Sequence, residues 1–309
     1  MMNRIVVIGS INVDNILQIQ ALPQPGETIS MDSFSKAPGG KGANQAVAAA
    51  RAGAQTSFIG RVGDDDNGQM MLRELASNHI NTDQIQITNQ EQTGQAYILL
   101  QNSGQNSIIV QRGANFALTA EDVIQFRDTI EQADFVIAQF ETPIAATIAA
   151  FEIAHQAGKK TILNPAPAQA KIPDALLELT DIIIPNETES ELITGIAAVD
   201  EVSLAANAKF LHDLGIECVI ITLGSTGSYI SYRGDEAIVP AFKTQAIDTT
   251  AAGDTFIGAL ASELNADLTN IEAAVIYASM SSSFTVQTLG AFPSIPWRET
   301  VSASLEARQ

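Results

Sequence analysis

Short apolar runs without polar alternation recur along the chain, and stretches long enough for helices separate them. The runs are "RIVVIGS" (Arg4–Ser10), "TSFIG" (Thr56–Gly60), "DFVIAQF" (Asp134–Phe140), "TILNP" (Thr161–Pro165), "DIIIP" (Asp181–Pro185) and "CVIITLG" (Cys218–Gly224). A strand with one wet face alternates apolar and polar residues; these do not, so they read as strands covered on both faces. Between them the pattern predicts helices over Ala43–Ala52, Gly68–Asn78, Thr142–Gln156 and Ser203–Leu214. Thr119, ahead of "AEDVIQF", is a plausible N-cap with acidic residues in the first turn. Gly53, Gly158 and Gly215 fall where helix C-caps belong. Regular alternation of strand and helix predicts an α/β fold with a doubly wound, mostly parallel sheet flanked by helices.

Two regions break the rhythm. Residues 11–38 hold a Pro/Gly turn, "LPQPGET", between strand-like pieces, and residues 93–113 read as a hairpin with "NSGQ" at its tip. Neither is long enough for a core of its own. Together they predict a small β-sheet inserted as a lid into a single domain spanning 1–309. A sheet with an exposed apolar face serves as a lid or as a surface for a second subunit, here a homodimer.

Composition narrows the partners. The 309 residues carry a formal net charge of −19, with 16 Lys and Arg scattered along the chain. Nucleic acid is excluded as an expected partner, because a phosphate backbone needs clustered cations. No segment reaches membrane-spanning length, and the apolar run at the N-terminus is too short for a signal peptide, so the expectation is a cytoplasmic protein away from membranes. The single cysteine, Cys218, sits in an apolar run and reads as a buried strand thiol. The three histidines lie far apart without HExxH-type spacing, which argues against a histidine metal site.

The richest chemistry lies in "AIDTTAAGDTFIGAL", Ala246–Leu260. Small residues at Ala251, Ala252 and Gly253, placed just before a helix-like run, let backbone amides approach an anion where the helix dipole favours negative charge. Asp254 is then either an N-cap or a base that takes a proton from an attacking hydroxyl. Asn12 and Asp14 are two apart on an extended segment, so they point to one side and suit a vicinal diol. "PNETE" supplies Asn186 and Glu189, whose oxygens suit Mg²⁺ or an acidic first turn of a helix equally well. "TLGSTG", Thr222–Gly227, is a glycine-bearing turn after a strand. "APGGKGANQAVAAARAG", Ala37–Gly53, looks like a phosphate loop but lacks the spacing: Gly39 and Gly40 adjoin Lys41, and no Ser or Thr follows the lysine.

The segments "PGGKGANQAVAAARAG" and "DTTAAGDTFIGAL" resemble the two signatures of the ribokinase-like carbohydrate kinases. "GSINVDNI", "LNPAPA", "IIPNETE" and "ITLGSTGS" are similar to the family's intervening segments, in the same order, and the likeness runs from Arg4 to "GAFPSIPWRE". The resemblance implies ATP-dependent transfer of a phosphoryl group to the 5-hydroxyl of D-ribose, with ATP, Mg²⁺ and an activating K⁺. It implies Asp254 as base, and the amides of Ala252, Gly253 and Asp254, introduced by Ala251, as an anion hole. Asn12, Asp14, Gly39, Gly40, Lys41, Gly42, Ala43, Asn44 and Glu141 would surround the sugar together with Asp254. Asn186, Thr222, Leu223, Gly224, Ser225, Thr226, Gly227 and Ser279 would meet the nucleotide with Gly253 and Asp254. Asn186 and Glu189 would hold Mg²⁺ through water, and Asp248, Thr250, Thr285, Thr288, Gly290 and Ser294 would surround K⁺. Gly39 and Gly40 then read as a flexible joint of the lid. The Ser-rich "SMSSSF" and Thr288 depart from the family's pattern near the adenine.

Other members of the superfamily that phosphorylate deoxyribose, fructose or adenosine share the catalytic loop. "SINVD" and "GGKGAN" favour ribose among them. A ribose- or nucleotide-binding regulator without turnover is the reading of a different class, and the intact "AAGD" loop argues against it.

Overall fold

The structure, a computed structural model, describes residues 2–308. Thirteen strands follow in chain order: β1 (Arg4–Ile8), β2 (Asn12–Ile19), β3 (Ser33–Gly39), β4 (Gln55–Gly63), β5 (Ile85–Thr88), β6 (Gly94–Gln101), β7 (Asn106–Gln111), β8 (Phe135–Ala138), β9 (Lys160–Leu163), β10 (Ile182–Ile183), β11 (Cys218–Thr222), β12 (Gly227–Tyr232) and β13 (Asp235–Pro240). Nine of them form one sheet in the order β13-β12-β11-β10-β9-β8-β1-β4-β5, and the other four form a second sheet, β3-β2-β6-β7. From β5 to β11 every neighbouring pair of the large sheet is parallel; β12 and β13 add on antiparallel.

Alternate side chains of the central strands enter two separate cores. Ile5 and Val7 of β1, with Phe135 and Ile137 of β8, pack on one face. Val6, Ile8, Val136 and Ala138 pack on the other. Both faces are therefore covered by helices, which is why these strands read as continuous apolar runs. All six expected strands and all four expected helices form, with ends moved by a few residues. The expected caps form too. Thr119 and Asp122 make a reciprocal capping box, and Gly53, Gly158 and Gly215 take positive φ behind their helices.

Three strands of the large sheet escaped the pattern. β5 is a half-exposed edge strand in a polar stretch, "IQIT". β12 and β13 are joined by Arg233 and Gly234, both at positive φ, a tight hairpin turn normally announced by Asn-Gly or Asp-Gly. Here an arginine occupies the first left-handed position.

The small sheet forms as expected from the two regions that break the rhythm, with β3 ending one residue beyond 38. Its central pair, β2 and β6, is parallel, and each carries an antiparallel neighbour. Asp14 stands opposite Ala96, and Ala96 opposite Val110, so Asp14, Ala96 and Val110 share one face across three strands.

Helix Lys41–Arg51 carries a run of small residues and is buried over most of its length. It lies against helix Ala252–Glu263 so closely that a Cβ on Gly258 would fall 2.3 Å from the Gln45 carbonyl oxygen and 2.6 Å from Ala48 Cβ. A Gly→Ala change inside a helix ordinarily stabilises by about 1 kcal/mol. At Gly258 backbone overlap reverses the sign: Gly258→Ala is expected to destabilise by about 1–3 kcal/mol, read as a lower denaturation midpoint in urea, and a raised midpoint would contradict the contact.

Candidate active site

The order of the large sheet reverses direction at β1, with β4 on one side and β8 on the other. Ligand crevices in open parallel sheets form outside the carboxyl ends of strands at such a switch point. A cleft of about 480 Å³ lies there. Asn12 follows β1, Glu141 follows β8, Asn164 and Ala166 follow β9, Asn186 follows β10, and Thr222 ends β11; all line the cleft. Asp14, Ala96, Ile98, Ile108 and Val110 of the small sheet roof it. Lys41 and Asn44 enter from helix Lys41–Arg51, and Thr249 to Asp254 from the start of helix Ala252–Glu263.

That helix begins under strain. Its N-cap, Ala251, has φ 61°, a left-handed conformation that costs a residue with a Cβ about 1–2 kcal/mol. The Ala252 N–H bonds the Thr249 carbonyl at 3.2 Å. The N–H groups of Gly253 and Asp254 have no backbone partner among the described residues, as the first turn of a helix leaves its donors unpaired. A Cβ on Gly253 would meet nothing within 4 Å; glycine keeps this approach to the amides open. Asp254 is not the N-cap. It sits in the first turn, 7% exposed, and accepts from Asn44 Nδ2 at 2.9 Å and Gln45 Nε2 at 3.0 Å.

Negative charge dominates the cleft: Asp14, Glu141, Glu189 and Asp254 face one ammonium, Lys41. Burial, then the charges of Glu141 and Asp254, pushes the Asp14 carboxyl up to about 7. Burial alone would lower the Lys41 ammonium, but Asp254, Glu141 and Glu189 outweigh it and hold it above the usual lysine value. Among the described residues Lys41 forms no ion pair within 4 Å, so its charge is available to a ligand. Burial raises Glu189, against the backbone N–H of Asn186 and the Lys41 charge. Glu141 accepts from the Lys41 backbone N–H at 3.2 Å and from Ser10 Oγ, which sets its carboxylate at the positive end of helix Lys41–Arg51.

A model of the pfkB family of carbohydrate kinases matches residues 2–298. The chain belongs to this family. It is 48% identical over 303 residues to a ribokinase of Staphylococcus aureus, covering 98% of this chain and 99% of that one. It is 50% identical to the bifunctional ribokinase/ribose-5-phosphate isomerase A of Fructilactobacillus sanfranciscensis, covering 97% of this chain and 56% of that longer protein. Among solved structures it is similar to Arabidopsis thaliana ribokinase complexed with ribose and ATP, with a TM-score of 0.91, 34% identity and 99% of each chain covered. The chain is thus an enzyme, a kinase.

In this kinase the fold gathers most of the expected residues. Asn12, Asp14, Gly40, Lys41, Asn44, Glu141, Asn186, Glu189, Thr222 and Ala251 to Asp254 meet in one cleft. Gly39, Gly42 and Ala43 back it without lining it. The Gly39–Gly40 pair, expected as a flexible joint, is tightly packed: a Cβ on Gly39 would lie 2.3 Å from the Asp14 carboxylate, and one on Gly40 (φ +95°) 2.8 Å from the Asn12 nitrogen. "TLGSTG" is the hairpin between β11 and β12, and only Thr222 of it lines the cleft; Leu223 is buried and Gly224 to Thr226 face solvent. Ser279 is buried in helix Ile271–Thr285, off the cleft wall.

The expected cation residues are joined in part. Asp248 accepts from Thr250 N at 2.9 Å, Thr250 Oγ1 at 2.7 Å and Gly290 N at 2.9 Å, and these bonds hold its carboxyl below the ordinary range despite burial. Thr285 Oγ1 instead meets Thr255 Oγ1 at 2.9 Å, and Ser294 Oγ donates to the Ala291 carbonyl at 2.7 Å. Thr288 lies in the turn after Thr285, and no side-chain bond joins it to the group among the described residues. Within the described residues no three His, Cys, Asp or Glu side chains converge as a metal cluster, and no helix is long and apolar enough to cross a membrane.

Sequence reasoning passed over several supports. Buried Asn115 donates to Asn12 Oδ1 at 2.8 Å, turning the Asn12 amide nitrogen outward. Ser282, from the Ser-rich helix, donates to the Ala252 carbonyl at 2.8 Å and ties down the start of helix Ala252–Glu263. Gln45 bonds Asp254 directly. The adjacency of Gln45 to Asn44 was the one signal that could have found it.

Two outcomes are expected. Gly253→Ala leaves the helix as stable or up to about 1 kcal/mol more stable, yet raises the KM for nucleotide, because the methyl enters the approach to the amides; unaltered nucleotide kinetics would refute the open approach. The second concerns pH. A neutral Asp14 is favoured by folding, so its stabilising contribution is complete below the unfolded value of 3.8 and is lost as pH rises through about 7. Asp14→Asn should therefore gain melting temperature relative to the parent between pH 5 and 8, and a constant difference across that range would contradict it.

Proposed function

We propose that this cleft transfers the γ-phosphoryl group of ATP to the 5-hydroxyl of D-ribose, with Asp254 as general base. The observation that carries the reading is the placement of Asp254. Its carboxylate is buried at a helix N-terminus, beside unpaired amides on one side and a cluster of hydroxyl-seeking groups on the other. The Asn44 side-chain oxygen is buried without a partner among the described residues; a sugar hydroxyl is the donor it lacks. Asn12 and Asp14, in reach of the same space, suit the 2- and 3-hydroxyls. The relatives named as ribokinases support ribose as the acceptor.

The base takes the hydroxyl proton as the sugar oxygen attacks the γ-phosphorus and ADP leaves. Charge then spreads over the equatorial oxygens of the phosphoryl group, and the fixed amides of Gly253 and Asp254 meet it without reorganising, while the Ala252 amide can join them only by leaving the Thr249 carbonyl. Lys41 supplies the cleft's positive charge. The donor set fits Mg²⁺. Glu189 commits one oxygen to the Asn186 backbone N–H at 2.9 Å, and Asn186 Oδ1 accepts from Glu189 N at 2.8 Å. Glu189 keeps a second, hard oxygen for a hydrated ion. When bound, Mg²⁺ neutralises phosphate charge in a cleft already rich in carboxylates. K⁺ fits the Asp248 loop, where Thr250 and Gly290 already converge and further backbone carbonyls are close in sequence. It would brace the segment leading into Ala251. The lid exposes Phe34, Ile108, Ile109 and Val110, and a second copy of the chain is the partner we propose for this surface.

The test is a coupled ADP-release assay with ribose, deoxyribose, fructose and adenosine as acceptors, with and without added K⁺. Ribose should be the best acceptor and deoxyribose poorer, because a missing hydroxyl leaves a buried partner unpaired. Asp254→Asn should lower kcat by at least ~10²-fold with little change in ribose affinity. Near-parental turnover in that variant would falsify the role of the base.

A further inference from the structure

The two oxygens of Asp254 are held from different directions. Oδ2 accepts from Asn44, which lines the cleft. Oδ1 accepts from Gln45, which is fully buried and does not line it. Consecutive residues of one helix reach the same carboxylate because Gly258 lets the two helices touch at the Gln45 backbone.

Behind Gln45 the amides form a chain. Gln45 Nε2 also donates to Asn164 Oδ1 at 3.2 Å, Gln139 Nε2 donates to Gln45 Oε1 at 2.7 Å, and Asn164 Nδ2 donates to the Ile184 carbonyl at 3.1 Å. The direction of every bond follows from one charge. An ionised carboxylate only accepts, so Gln45 must turn its NH₂ toward Asp254. Its oxygen then faces Gln139, which must present its own NH₂. Gln139 Oε1 lies where a Cβ on Gly9 would be, at 2.2 Å, so glycine at 9 leaves room for this orientation.

We propose that Gln45 is a positioning residue that anchors Oδ1 of Asp254 from behind, leaving Oδ2 as the oxygen that takes the proton, and that Gln139 fixes the orientation of the Gln45 amide. The inference rests on the reading of Asp254 as base. The acceptor hydroxyl replaces the Asn44 donor on Oδ2. Its proton passes to Oδ2 while its oxygen bonds the γ-phosphorus and the bond from that phosphorus to the bridging oxygen of ADP breaks. Anchoring Oδ1 holds Oδ2 on the line of attack, where small displacements are costly.

The experiment measures kcat, and KM for ribose and ATP, in full-length Gln45→Met, Gln139→Met, the double variant and Asp254→Asn, with rates normalised to the folded fraction. Gln45→Met keeps bulk and removes the donor. It should lower kcat about 10- to 10²-fold while both KM values stay within about threefold. Gln139→Met should act in the same direction more weakly, and the double variant should be no slower than Gln45→Met, since Gln139 acts only through Gln45. A kcat within about twofold of the parent for Gln45→Met, or a double loss equal to the product of the single losses, overturns the proposal. If Gln45→Met does not fold, Gln139→Met decides alone: lowered kcat at unchanged KM supports it, and parental kcat overturns it. Full turnover in Asp254→Asn removes the base and this inference together. A dead Asp254→Asn beside an unimpaired Gln45→Met removes only the inference.

Discussion

The contact on which the site depends is the backbone-to-backbone approach of helices Lys41–Arg51 and Ala252–Glu263 at Gly258. Both side chains that hydrogen-bond Asp254, Asn44 and Gln45, are carried by the first of these helices, and Asp254 itself by the second. Were the helices at the usual separation of 8–10 Å with larger side chains between them, Asn44 and Gln45 would fall short of the carboxylate. It would then be buried with donors missing, which is costly for a charged group. Small residues on both helices, Ala46, Ala48 and Ala49 on one and Gly258 and Ala259 on the other, are therefore a requirement of the chemistry as much as of the core.

The same logic explains how a chain with net charge −19 can bind a polyanion. The attraction is local. On the proposed reading it comes from oriented amides at the Ala252–Glu263 N-terminus and from Lys41, whose ammonium three carboxylates hold above the usual lysine value against burial. The acidic groups carry a cost of their own: burial first, and neighbouring carboxylates after it, push Asp14 and Glu189 upward.

Much of this was legible in the chain. Continuous apolar runs such as "RIVVIGS" located the buried parallel strands because both faces of the sheet are covered, and a loop of small residues ahead of Asp254 located the helix N-terminus because only small residues let amides approach a ligand. What stayed hidden depended on tertiary placement. β12 and β13 turn on an arginine at positive φ, a position its side chain disfavours and the sheet edge imposes. Gln45, Gln139 and Asn164 look like ordinary polar residues of a helix and of two strand ends; only the fold brings Gln139 and Asn164, about a hundred positions away, onto the Gln45 amide that holds Asp254. Ser282 likewise reads as one of a run of serines until it is seen bonded to the Ala252 carbonyl.

The segment "PGGKGAN" shows how a motif's meaning comes from its surroundings. In a phosphate loop, glycines bend the backbone around the anion. Here Gly40 takes positive φ and, with Gly42, lies against the backbone of Gly9 to Asn12, where a Cβ on either would overlap main-chain atoms. The glycines let the end of the lid strand and the start of the helix nest over the loop after β1. That nesting brings Lys41, Asn44, Asn12 and Asp14 into one space, with the Lys41 backbone N–H on Glu141. A joint built this way is set by contact rather than by freedom. Any opening of the lid must therefore draw its flexibility from β2 and β3 further out, where Ser33 to Lys36 are exposed, while Gly40 and Gly42 stay packed on the loop after β1.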